Sequence, residues 1–158
     1  MTSEQNIIRV AYYAALLSPD KDTQVGALIL DKSGLFIQVQ DCNRPPENLD
    51  LPTDVLNSSA KYDFIEHAER NALFRVGEEA NGCIMVAPYA PCCACARAMI
   101  AFRIEALICH KSAISRGKWI DEILRAHEML RSAGIRVEVY EGEIGRITNL
   151  IGGEEWNP

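Results

Sequence analysis

His67-Ala68-Glu69 and Pro91-Cys92-Cys93-Ala94-Cys95, with Cys92 25 positions on from His67, are the two stretches on which the reading of this chain turns. Together they offer one imidazole, two thiols at C-x-x-C spacing and one carboxylate two residues past the imidazole. Three soft ligands suit Zn²⁺ and leave its fourth position open, as in a catalytic rather than a structural site. A structural site would want a fourth Cys or His. The other two histidines, His110 and His127, read as the end of a strand and part of a helix, so they are assigned to surface or packing.

Working outward, apolar residues at helix spacing (Phe64, Ala68, Ala72, Leu73, Val76) predict a helix from about Asp63 to Glu79. Residues 83–87 predict a short buried strand, and Cys92 to Phe102 a second helix that opens with the thiols. Helix starts leave N–H groups unpaired and lower thiol pKa values, which suits a metal site. With a strand between them, both ligand groups are expected at one end of a sheet. Upstream, residues 4–17 predict a packing helix and 24–40 a hairpin around Asp31-Lys32-Ser33-Gly34. Residues 41–65, broken by Pro45-Pro46 and Pro52, read as a long loop walling the site. Downstream, 104–109 is a strand and 111–118 a polar connector. Residues 119–133 form an amphipathic helix ended by Gly134, and Ile135, Val137 and Val139 a fifth strand. A helical crossover makes the last two of these strands parallel.

At 158 residues and 48% hydrophobic content the chain fits one domain with one sizeable core. Its division is read as 1–140 for the metal-bearing domain and 141–158 for a C-terminal extension of the same domain. No apolar run is long enough to cross a bilayer. The N-terminus shows no positive region followed by an apolar run, and three cysteines crowd into four positions. A cytoplasmic, metal-binding protein is therefore expected, with no membrane partner. Net charge is −6, which opposes tight binding to a long nucleic acid. One small anionic substrate needs only a local basic pocket, and Arg44, Arg116 and Lys118 are the candidates to grip a 5′-phosphate. Each is also readable as a solvated charge. Trp119 and Trp156 are candidates to stack on a base, or else to pack in a core or interface.

Glu69 decides between metal storage and catalysis. Zinc lowers the pKa of bound water, and an adjacent carboxylate can move that proton to a leaving amine. His-x-Glu followed by Pro-Cys-x-x-Cys is the established signature of zinc deaminases, so the reaction class comes from that signature. On these residues the chain resembles the cytidine deaminase superfamily, nearest its deoxycytidylate (dCMP) deaminase branch. Also similar are Ser18-Pro19-Asp20, Thr23 to Ala27, Tyr62 to Ala72 and the helix from Trp119 to Gly134. The resemblance implies a three-layer α/β/α sandwich with a five-stranded mixed sheet. It implies zinc on His67, Cys92 and Cys95, Glu69 as proton shuttle, and substrate contacts from Asn43 and the backbone of Ala68. It also implies a homo-oligomer. The activity implied is hydrolysis of dCMP to dUMP with release of ammonia.

The chain departs from the family after the second strand. Where relatives often read Asn-Gly-x-Pro-x-Gly, it has Asn43-Arg44-Pro45-Pro46-Glu47-Asn48. The phosphate contacts are the ones this change touches. Residues 41–65 hold only Cys42 as a soft ligand, so one zinc per chain is expected and a second is not. Two other readings stay open: deamination of another base or nucleoside (cytosine, guanine, a modified base), and a non-catalytic zinc-binding interaction protein.

Overall fold

Residues 3–115 and 119–158 are described by a computed structural model. Helix α1 (Ser3–Ala15) buries Ile8, Ala11, Tyr12 and Ala15, one stripe at helix spacing. It lies on β1 (Gly26–Leu30), all five of whose residues are buried. Alternate side chains of β1 serve opposite faces, as strand pleating requires. Leu28 and Leu30 join the α1 side, and Ala27 and Ile29 the other. The close approach of α1 requires a glycine: a Cβ on Gly26 would lie 2.0 Å from the Ala11 carbonyl oxygen.

The remaining strands of the main sheet are β2 (Ile37–Cys42), β3 (Ile84–Val86), β4 (Ala106–His110) and β5 (Arg136–Tyr140). Their order is β2-β1-β3-β4-β5. β1 runs antiparallel to β2 and β3, whereas β3, β4 and β5 are mutually parallel. This is the expected mixed five-stranded sheet. Helices α3 (Ala68–Val76), α4 (Cys93–Ala101) and α6 (Ile120–Ser132) cover one face through Ala72, Leu73, Ala96, Met99, Ala126 and Leu130. α1 and the C-terminal tail cover the other.

Several boundaries differ from the sequence reading, each for a local reason. The helix expected over 63–79 is nine residues of α-helix between two 3₁₀ turns, Ser59–Asp63 and Gly77–Ala80. His67 is extended (ψ 148°) and caps the start, and Gly77 (φ 62°) stops the end. β2 begins at Ile37 because Asp31 holds the turn through Phe36: its Oδ1 accepts from the Leu35 and Phe36 N–H groups. The long segment also contains a short helix, α2 (Thr53–Leu56). The connector after β4 carries a helical stretch, α5 (Lys111–Ser115).

The tail, which had no readable period, folds as a hairpin of β6 (Asn149–Ile151) and β7 (Glu154–Trp156). Trp156 packs in the core against Tyr12, Tyr89 and His110, at ring-centroid distances of 5.6, 5.9 and 6.4 Å. It therefore plays the packing role, not a stacking role over a base. His110 is fully buried: Nδ1 lies 2.7 Å from the Tyr12 hydroxyl and Nε2 2.9 Å from the Gly142 carbonyl oxygen. A carbonyl only accepts, so Nε2 carries the proton, and the neutral ring accepts at Nδ1. Burial holds the His110 pKa below its ordinary value.

Candidate active site

Helices α3 and α4 begin side by side at one end of the sheet. His67 caps α3 and Cys92 caps α4 just beyond the carboxyl end of β3, while Cys95 sits one turn into α4. Ligands in open α/β sheets gather at such strand ends. His67 Nδ1 lies 3.7 Å from Cys92 Sγ and 3.5 Å from Cys95 Sγ, and the two sulfurs are 3.6 Å apart. A tetrahedral zinc site with ordinary bond lengths requires S···S edges of roughly 3.8 Å and S···N edges of roughly 3.6 Å. The donor triangle thus fits Zn²⁺ in both chemistry and size.

The surroundings favour bound metal and ionised sulfur. The Cys92 thiol is pushed down to about 3, first by its side-chain hydrogen bond with Cys95 and, against the cost of burial, by His67 and the Cys95 N–H. That same bond, together with burial, pushes the Cys95 thiol up. Arg70 Nη1 donates to Cys95 Sγ at 3.6 Å, and its guanidinium is held by Glu66, which also accepts from the His67 N–H. Glu69 is 3% exposed, and burial is the main cause holding its carboxyl above the ordinary range.

These groups open on one cleft of about 490 Å³, lined by His67, Ala68, Glu69 and Cys92 at its metal end. Asn43, Ala68 and Trp119 all reach it. The Asn43 amide is largely engaged: Oδ1 accepts from Val25 N–H at 2.8 Å and Nδ2 donates to the Thr23 carbonyl at 2.9 Å. That leaves one Nδ2 hydrogen for a ligand. Ala68 is the first residue of α3, where N–H groups lack intrahelical partners. Trp119 stands at the mouth, 65% exposed, as does Tyr62 at 75%.

Arg44 is not brought to this cleft. Its guanidinium grips Asp41 at 2.8 and 3.0 Å and Glu47 at 3.3 Å, beside a separate hollow next to β2. The reason is local: Asp41 is buried at the end of β2 and takes its counter-charge from three residues on. Arg116 and Lys118 lie outside the described residues. Among the described cleft residues no Lys or Arg appears, whereas Asp20, Glu69 and Glu122 line it.

Sequence reading passed over Asp20, Lys61, Tyr62 and Glu122 as site residues. Asp20 follows a proline in a loop and reads as an ordinary turn aspartate. Glu122 reads as a helix-start acid. It does that job on a different helix, since its Oε1 accepts from the Cys93 N–H opening α4 at 3.3 Å. Cys93 itself points from the metal triangle to α6, its Sγ 3.6 Å from the Glu122 carbonyl oxygen.

An α/β/α sandwich with a His-Cys-Cys zinc triangle and a buried carboxylate beside it defines a class of zinc proteins. Within that class, the model for the cytidine and deoxycytidylate deaminase zinc-binding region matches residues 1–111, and the chain belongs to that family. A probable deoxycytidylate deaminase of Caenorhabditis elegans is 29% identical over 112 residues. The match spans 66% of this chain but 55% of that relative, about half its length. The dCMP deaminase of cyanophage S-TIM5 in apo form has a similar fold, with TM-score 0.65 and 18% identity over 89% of this chain and 100% of that one. Its complex with dCMP and dUMP gives TM-score 0.67 and 18% identity over 89% and 99% of the two chains.

Proposed function

We propose that this protein is a zinc-dependent hydrolytic deaminase whose substrate is dCMP. The reaction consumes one water: the exocyclic C–N bond of the cytosine ring breaks, a carbonyl replaces it, and dUMP and ammonia leave. The observation that carries the reading is the zinc-sized triangle of His67, Cys92 and Cys95 with Glu69 buried on the same cleft wall. Zinc, when bound there, supplies the Lewis acidity that makes a water acidic near neutral pH. Glu69 does the proton work. Its carboxylate would accept the proton of the attacking water and pass it to the leaving nitrogen, a role that suits a carboxyl whose pKa burial holds up. The Ala68 N–H and the spare Asn43 Nδ2 hydrogen hold the substrate's acceptor groups.

One observation favours a second reading, deamination of a nucleoside or base without phosphate: the described lining of the cleft is acidic and carries no cation. A screen of ammonia release on dCMP, deoxycytidine, cytosine, guanine and adenosine separates the two. The dCMP reading expects turnover of dCMP above all the others. Turnover of cytosine or guanine with none of dCMP overturns it. A storage-only protein is set aside by Glu69, which no such protein needs.

The protein is further proposed to work in the cytoplasm as a homo-oligomer, with the tail belonging to the same folding unit as residues 1–140. In support, no helix among the described residues is long and apolar enough to cross a membrane, and all six cysteines are free thiols. Exposed Trp119 and Tyr62 at the cleft mouth offer apolar surface for a neighbouring copy. Light scattering after size-exclusion chromatography checks this, and a monomeric mass removes the oligomer.

A further inference from the structure

The wall of the cleft formed by the 18–23 loop contains an ion pair that the chemistry above does not use. Lys61 is 3% exposed, and its ammonium lies 2.8 Å from Asp20 Oδ1 and 2.5 Å from Asp22 Oδ2. Asp20 is itself buried (5% exposed) yet lines the cleft. Every hydrogen bond to its carboxylate falls on Oδ1: from the Asp22 N–H, the Thr23 N–H and Lys61 Nζ. Oδ2 accepts none among the described residues. Oδ2 is not among the fully buried polar atoms that lack a partner, so it opens on the cleft, where a ligand's donor can reach it. Ser18 fixes the loop from behind, accepting from the Asp20 N–H and donating to the Asn43 carbonyl.

We infer that Asp20 Oδ2 accepts a hydrogen bond from a sugar hydroxyl of the substrate, with Lys61 as the positioning residue that holds the carboxylate. The inference rests on the reading of this cleft as the deaminating site. The aminated ring must reach Glu69 and the metal ligands, which leaves the sugar toward the remaining polar wall. A deoxynucleotide offers one donor there, its 3′-hydroxyl. Like charge keeps a phosphate away from the same corner. Asp20 is thus a specificity residue: it selects sugar-bearing substrates over free bases, and phosphate is held elsewhere.

The test uses the zinc-loaded full chain and compares kcat/KM for dCMP with that for its 2′,3′-dideoxy analogue. A hydrogen bond to a charged acceptor predicts a preference of roughly 10- to 100-fold for dCMP. In Asp20→Ala the preference collapses, because dCMP loses most and the analogue little. Lys61→Met lowers it in the same direction. The wild-type comparison needs no variant, so a variant that fails to fold does not spare the idea. Equal turnover of dCMP and the dideoxy analogue by wild type overturns the inference while leaving the dCMP reading intact. Turnover of another sugar-bearing compound but not dCMP overturns only the dCMP reading, and the hydroxyl comparison is then made on that compound. Turnover of free bases alone overturns both.

Discussion

Glu69 and Asp41 are both buried acids, and their carboxyls shift in opposite directions: burial wins at Glu69, its partners at Asp41. Glu69 has burial as its main influence and is held above the ordinary carboxyl range. Replacing it with Gln keeps shape and removes the proton carrier. Glu69→Gln is expected to keep its zinc, measured by metal analysis, and to lose turnover by about 100- to 10,000-fold. Zinc retained with full turnover would remove Glu69 from the mechanism. For Asp41, burial also opposes its charge. The Arg44 hydrogen bonds, the Cys42 N–H and Arg75 outweigh it and hold the carboxyl below its ordinary value. Folding stability from Asp41 is therefore complete above the ordinary carboxyl pKa and is lost as pH falls through the lowered one. Asp41→Asn is expected to cost about 1–3 kcal/mol at neutral pH. The gap from wild type should close as thermal melts are run into the acid range. A gap that widens toward acid contradicts the sign. Arg44 also marks what one residue's identity cannot tell. As a letter it is a phosphate binder or a surface charge, and only the fold reveals that Asp41 occupies it.

At the level of elements, the helix-strand-helix unit holding the ligands was legible from helix-spaced apolar residues before the strand, the continuous apolar run 83–87, and the ligand stretches that open each helix. Its exact edges were not, because they depend on the His67 cap and the positive φ of Gly77 rather than on apolar spacing. The C-terminal hairpin was invisible for a related cause: three-residue strands are too short to show alternation, and Gly152-Gly153 reads as any turn. Gly26 was equally silent. Its lack of a side chain is needed because α1 lies directly on it, with the Ala11 oxygen and Ala15 nitrogen within 2.0 and 2.6 Å of a would-be Cβ. Both are backbone atoms and cannot rotate aside. Gly26→Ala should therefore destabilise by about 3 kcal/mol, the upper end of ordinary overpacking costs, read from urea unfolding. A change under about 0.5 kcal/mol would mean that α1 can lift off β1 freely, as surface substitutions would allow.

Over the whole molecule, zinc joins the starts of two helices that are otherwise separate in sequence, so its removal should loosen the fold as well as silence it. Chelation and dialysis are expected to lower Tm by roughly 5–10 °C, with recovery on adding zinc back. An unchanged Tm would mean that the triangle is held by packing alone. The tail gives the molecule a second long-range tie. Leu150 and Gln24 exchange hydrogen bonds, Gly152 N–H donates to Thr23 Oγ1, and Gly153 N–H donates to the Asp22 carbonyl. The β6–β7 hairpin thus grips, from outside, the same 22–24 loop that lines the cleft. It also lies beyond residues 1–111, the part matched by the family. The metal ligands and the hairpin that braces this loop therefore lie on separate stretches of chain. A change in the hairpin would reach the cleft only through this loop, by way of Thr23, while every metal ligand stayed in place.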